Sequence, residues 1–303
     1  MKNLFGLKGS YPYKKRNLRV FISRMVILIA FFLFVSGFVL NQSAVAQNEP
    51  QIKVGENIGS TKSGNQPRQY LLYIPEGYDA KTDLPLVFLF HGSGGTPKMS
   101  LEVTDWSKVA NKKKFIIAAP EGIYPYMGMR GGQKSWNADL DPQGVNDVEF
   151  VKDLIREISS KVLIDKKRMY ATGFSAGARM SSRLGCELSN VIAAIGPFAG
   201  LQCAMNCAPT HSVSVIAFNG TADMTSPYAL AENSVSCWAE KNGCNKTPTT
   251  RQISEDVTQI SYGDCKDNAE AIFFRINGVG HIWPKDVNAS NLIWSFFEAH
   301  PLP

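Results

Sequence analysis

Residues 84–92 read Leu-Pro-Leu-Val-Phe-Leu-Phe-His-Gly, an apolar run with no polar side chain until its end. A strand with one wet face alternates apolar and polar side chains, so this run fits a strand covered on both faces. Strands of that kind belong to a mostly parallel sheet with helices packed on each side. The rest of the chain supplies suitable partners. Residues 69–75, 114–122, 168–174, 212–220 and 270–278 read as further strands. Residues 147–162 carry apolar side chains at 148, 151, 154, 155, 158 and 162, the spacing of one helical face, and residues 291–300 read as a closing helix. The expected fold class is therefore α/β, and ligands in such sheets bind at the carboxyl ends of the strands.

The first 46 residues stand apart from this pattern. They contain seven basic residues and no acidic one, followed from Met25 to Leu40 by an apolar run of 16. A spanning helix needs about 20 such residues. Ala44 and Ala46 flank Val45 as small residues at a cleavage-type site, so residues 1–46 read as an export signal cut after Ala46. An uncleaved anchor is the alternative. Residues 47–303 are long enough for a single domain, with 47–66 forming an irregular or edge-strand lead-in. The formal charge of +6 belongs to the leader, since the remainder carries 25 basic residues against 26 acidic. A near-neutral domain gives no sign of nucleic-acid binding, and stable membrane insertion after cleavage is not expected. Export to the periplasm or the exterior makes disulfides the expected state of Cys186, Cys203, Cys207, Cys237, Cys244 and Cys265. Cys203 and Cys207 lack the second ligand pair of a metal site, so no metal is expected.

The most specific signal is Gly173-Phe174-Ser175-Ala176-Gly177, placed between the strand 168–174 and a helical segment. In that order a sharp turn lifts a serine hydroxyl above the sheet, and the glycines avoid collisions with neighbouring backbone. The hydroxyl needs a base. Of the four histidines, His281 follows a strand in a glycine-containing loop and comes after an acid in the order serine, acid, histidine. Nine acidic residues lie between Ser175 and His281, and only Asp223 sits in a loop directly after a strand. Ser175, Asp223 and His281 are thus the candidate catalytic residues. The segment His91-Gly92-Ser93-Gly94-Gly95 offers amides for a developing oxyanion from Gly92, Ser93 and Gly94, joined by Ala176. Trp136 and Trp283 are candidate lining residues for a planar or carbohydrate substrate.

These motifs, with "NGTADMTSPY", "CWAEKNGC" and "GVGHIWP", resemble the secreted α/β-hydrolases that include feruloyl esterases, acetyl xylan esterases and polyhydroxybutyrate-depolymerase-like proteins. The likeness spans roughly residues 66–299. It implies a serine carboxylic ester hydrolase that works through an acyl-enzyme without cofactor. The implied substrates are feruloyl or acetyl esters of plant polysaccharides, with polyhydroxyalkanoates as the alternative. A hydrolase fold turned into an inactive binding protein is the reading from another class. The resemblance further implies a bridge between Cys244 and Cys265, and leaves the pairing of the other four cysteines open. Two positions depart from the family pattern: Asn219 stands where its members usually have histidine, and Ala-Gly-Ala (176–178) replaces their common Asn-Gly-Gly.

Overall fold

The computed structural model describes residues 52–126, 132–204 and 206–303; the expected export signal lies outside them. Twelve strands are present among these residues: β1 Gly55–Ser63, β2 Gln66–Ile74, β3 Leu84–Phe90, β4 Ile116–Pro120, β5 Tyr124–Tyr126, β6 Gln133–Ser135, β7 Ile164–Phe174, β8 Ala194–Phe198, β9 Ser214–Gly220, β10 Thr249–Ser254, β11 Val257–Tyr262 and β12 Ala271–Ile276. Among the described residues six α-helices join them: α1 Pro97–Thr104, α2 Trp106–Lys113, α3 Asp147–Ser159, α4 Ala176–Glu187, α5 Tyr228–Lys241 and α6 Ala289–Ala299.

Ten strands form one sheet in the order β1-β2-β4-β3-β7-β8-β9-β12-β11-β10. The six strands from β4 to β12 in that order run parallel. The ends β1-β2 and β11-β10 are antiparallel hairpins. Strand β3 accounts for the uninterrupted apolar run. Leu86, Phe88 and Phe90 enter the core shared with α3, α4 and α5, whereas Val87 and Leu89 enter the core on the opposite face with α1, α2 and α6. Neighbouring side chains of a strand point to opposite faces, and here both faces are covered. Helix α3 buries Val148, Val151, Leu154 and Ile158, and Asn146 caps it by accepting the Glu149 N–H.

Strand β8 escaped the sequence reading because Gly196 and Pro197 interrupt it. Strand β10 is exposed along its whole length and carries little apolar signal. Three disulfides complete the structure: Cys186–Cys207, Cys203–Cys237 and Cys244–Cys265. The first ties Cys207 to the end of α4, and the second ties Cys203 to α5. Among the described residues no helix is long and apolar enough to cross a membrane.

Candidate active site

Strand β7 and helix α4 meet at Ser175, whose backbone is held at φ 57 and ψ −117. A non-glycine residue in that region costs about 1–3 kcal/mol and persists only where its surroundings enforce it. The surroundings are tight. A Cβ on Gly173 would stand 2.6 Å from the Phe90 carbonyl oxygen, and one on Gly177 would stand 2.1 Å from the same atom. Helix α4 therefore starts against the end of β3 only because both flanking residues lack side chains. The Ser175 N–H donates to the Phe198 carbonyl at 3.0 Å, which fixes the turn to β8.

Strands β9 and β12 deliver the two partners from the same edge of the sheet. His281 Nε2 lies 2.9 Å from Ser175 Oγ, and His281 Nδ1 lies 2.8 Å from Asp223 Oδ2. A carboxylate only accepts, so Nδ1 carries the proton and Nε2 faces the serine hydroxyl as acceptor. The Asp223 side chain is fully buried, and its other oxygen accepts the amides of Thr225 at 2.9 Å and Ser226 at 2.8 Å. The imidazole rests on the Phe174 ring, with centroids 4.7 Å apart. Asn219, at the position usually held by histidine, is buried and donates through Nδ2 to the carbonyls of Ser226 and Gly220. It thereby ties down the loop that carries Asp223. Sequence reasoning did not find these holding contacts, because main-chain acceptors leave no pattern in side-chain types.

The glycine loop after β3 needs one correction. The Gly94 N–H donates to the Lys134 carbonyl at 2.8 Å, and the Gly95 N–H to the Gly92 carbonyl at 2.9 Å. An amide already paired inside the protein cannot also serve an oxyanion, so Gly94 is not a donor. Among the described residues the amides of Gly92, Ser93 and Ala176 have no protein acceptor. Gly92 itself packs on Ser175, where an added Cβ would be 3.4 Å from the serine Cβ. His91 is buried. It donates from Nδ1 to the Gly92 carbonyl at 2.7 Å and accepts the Gly122 N–H at Nε2 at 2.9 Å. Burial lowers its pKa below the ordinary histidine value and keeps it neutral.

The tryptophans also sit elsewhere than expected. Trp136 is only 3% exposed; its indole donates to the His91 carbonyl at 2.8 Å, and its ring meets Phe90 edge-on. Trp283 packs on Phe198 and borders a small cavity of about 30 Å³ beside Thr104 and Asp105. Neither lines the large pocket next to the serine. That pocket has a volume of about 630 Å³ and is bordered by Leu140, Leu201, Leu230, Arg179, Gln202 and Asn233, among others. Its wall contains no triad residue but includes Gly200, where a Cβ would stand 2.5 Å from the Ser175 main-chain carbonyl oxygen, and Thr225 and Ser226 of the Asp223 loop. Among the described residues no cluster of histidine, cysteine or carboxylate side chains is arranged to hold a metal.

Residues 78–260 match the family model described as Phospholipase/Carboxylesterase. The chain belongs to this family. It is 28% identical over 256 residues to feruloyl esterase B of Piromyces equi, an alignment covering 78% of the chain and 46% of that relative. It is 23% identical over 269 residues to feruloyl esterase D of Neurospora crassa, covering 82% and 87% of the two. The chain thus spans about half the length of the first of these relatives and most of the second. The acetyl xylan esterase from Aspergillus awamori shares the fold, with a TM-score of 0.63 at 16% identity over 80% of this chain and 99% of that one. Membership of the family and this likeness agree with the α/β-hydrolase fold read from the sequence.

Proposed function

We propose that the chain is an exported serine esterase that cleaves feruloyl or acetyl esters of plant polysaccharides. The observation that carries this reading is the line Asp223 Oδ2, His281, Ser175 Oγ, closed at 2.8 and 2.9 Å on a serine held in a strained turn. In the proposed reaction Ser175 Oγ attacks the ester carbonyl while His281 Nε2 takes its proton. The new imidazolium is stabilised by Asp223. The amides of Ala176 and of Gly92 or Ser93 receive the negative oxygen. Collapse breaks the bond to the alcohol, which leaves with the proton from Nε2. Water then attacks the acyl-enzyme by the same route, giving the acid and restoring Ser175.

The pocket beside Ser175 supports the substrate class. Its volume of about 630 Å³ lies in the range of small-ligand sites. Leucines on its wall suit an aryl or acetyl group, and Arg179, Gln202 and Asn233 suit hydroxyl and methoxy oxygens. The names of the relatives favour hydroxycinnamoyl and acetyl esters over polyhydroxyalkanoates. Three disulfides fit an oxidising compartment, and removal of residues 1–46 would give a mature chain starting at Gln47.

The test is labelling by a fluorophosphonate together with turnover of methyl ferulate, an aryl acetate and hydroxybutyrate oligomers. The reading expects labelling and turnover of the first two, both abolished in Ser175→Ala. Absence of labelling, or labelling that survives the substitution, overturns it.

A further inference from the structure

The loop His91 to Gly95 contains three glycines in five residues, and glycine loses the most conformational freedom on ordering. Left to itself such a loop would not hold its amides at fixed points. In this fold it is pinned from one side by a short strap, residues 134–137. The Lys134 carbonyl accepts the Gly94 N–H at 2.8 Å. Ser135 Oγ meets Ser93 Oγ at 2.9 Å. The Trp136 indole donates to the His91 carbonyl at 2.8 Å. A trans peptide points its C=O and N–H in opposite directions. Holding the His91 carbonyl therefore turns the Gly92 N–H away from the strap. The Gly92 carbonyl, taken by His91 Nδ1 and the Gly95 N–H, fixes the Ser93 N–H in the same manner.

The strap is itself anchored. The Asn137 N–H donates to Asp147 Oδ2 at 2.8 Å, and Asp147 Oδ1 pairs with Arg68 Nη2 at 2.7 Å. Asp147 is fully buried and Arg68 is 2% exposed, with its guanidinium 3.8 Å above the Phe150 ring. A buried ion pair is weak evidence for stability, because desolvation offsets the attraction. Its two carboxylate oxygens serve here to join β2 and the start of α3 to the strap. The Asn137 side chain then clamps the next turn, donating to the carbonyls of Asp141 and Val145 and accepting the Asp141 N–H. That turn carries Leu140, at φ 64, to the pocket.

We propose that Trp136, backed by the Arg68–Asp147 pair through Asn137, is a positioning residue that orients the oxyanion-binding amides of Gly92 and Ser93. The proposal rests on the esterase reading above. Trp136 touches no substrate, and its effect passes through the His91 peptide.

Trp136→Phe keeps an aromatic ring beside Phe90 and removes the indole N–H together with the volume of the indole's second ring. Displacing reacting groups by 1 Å costs about 10²-fold, so kcat/KM is expected to fall about 10- to 100-fold in this variant. KM for methyl ferulate should stay near the wild-type value. Affinity for a boronic acid, whose adduct at Ser175 mimics the tetrahedral intermediate, should fall by the same factor as kcat/KM. A merely structural tryptophan would lower the melting temperature without this match between kinetics and boronate affinity. If Trp136→Phe does not fold, Ser135→Ala removes the neighbouring strap contact and is read the same way, with a smaller loss. The inference is overturned if the folded variant keeps both quantities within about twofold of wild type, or if KM absorbs the loss. Wild-type protein that turns over no ester would instead overturn the functional reading.

Discussion

Replacing Asp223 by asparagine exchanges one carboxylate oxygen for an NH2 group and should remove almost all turnover. The structure dictates how the amide sits. One carboxylate oxygen accepts two main-chain N–H groups, from Thr225 and Ser226, and the other faces His281 Nδ1. Turning the NH2 toward Thr225 and Ser226 would set it against two part-buried main-chain donors and lose both hydrogen bonds, at about 0.5–1.5 kcal/mol each. The NH2 therefore faces His281 and donates to Nδ1. The imidazole must then carry its proton on Nε2, where it points at Ser175 Oγ instead of accepting from it. The wrong tautomer in this position lowers kcat by about 10⁴, equivalent to about 5 kcal/mol of transition-state stabilisation. The assay is steady-state hydrolysis of an aryl acetate by the folded variant, with fold checked by near-ultraviolet circular dichroism. The fluorophosphonate labelling rate of Ser175 should slow in proportion. Retention of more than about a tenth of wild-type turnover would refute this chain of reasoning.

Three further outcomes follow from the geometry. Gly177→Ala places a Cβ 2.1 Å from the Phe90 carbonyl oxygen, so α4 must retreat from β3. Overpacking of this kind costs about 1–3 kcal/mol, and chemical denaturation should show that loss alongside a drop in kcat of about 10²-fold. His91 has a lowered folded-state pKa because it is buried, so the unfolded chain binds its proton more readily. Its contribution to stability is present above the ordinary histidine value of about 6.5 and is lost as pH falls below it. Melting temperatures across that range should decline toward acid, with a shallower slope in His91→Gln. Leu230 is 61% exposed on the pocket wall, and Leu230→Asp should raise KM for methyl ferulate several-fold while leaving boronate affinity nearly unchanged.

The parallel core was legible because β3, β4, β7, β9 and β12 announce themselves as apolar runs between turn residues. The positions of Ser175, Asp223 and His281 followed from a rule about strand ends, which sequence order alone expresses. Trp136 shows the limit. A tryptophan beside polar residues looks like a ligand platform, yet its neighbours in space are Phe90 and the His91 carbonyl, both far away in the chain. Arg68 and Asp147 were invisible for the same reason, since 79 positions separate them. Nothing in the sequence marks the Gly94 amide as already paired, because its acceptor is the main-chain carbonyl of Lys134 on β6. Side-chain identity predicts what a residue offers; it does not reveal what main-chain geometry has already claimed.

The bridge Cys203–Cys237 lies in the wall of the 630 Å³ cavity and holds it to α5, and Cys186–Cys207 ties the chain a few residues further on to the end of α4. A flank sewn down twice selects its guests by fit, as a mould does, with little give on arrival. Synthesis in a reducing cytosol would unpick that seam while leaving the serine, imidazole and carboxylate on their strands. Such a preparation would keep its bond-breaking chemistry on small esters and lose its discrimination among large ones.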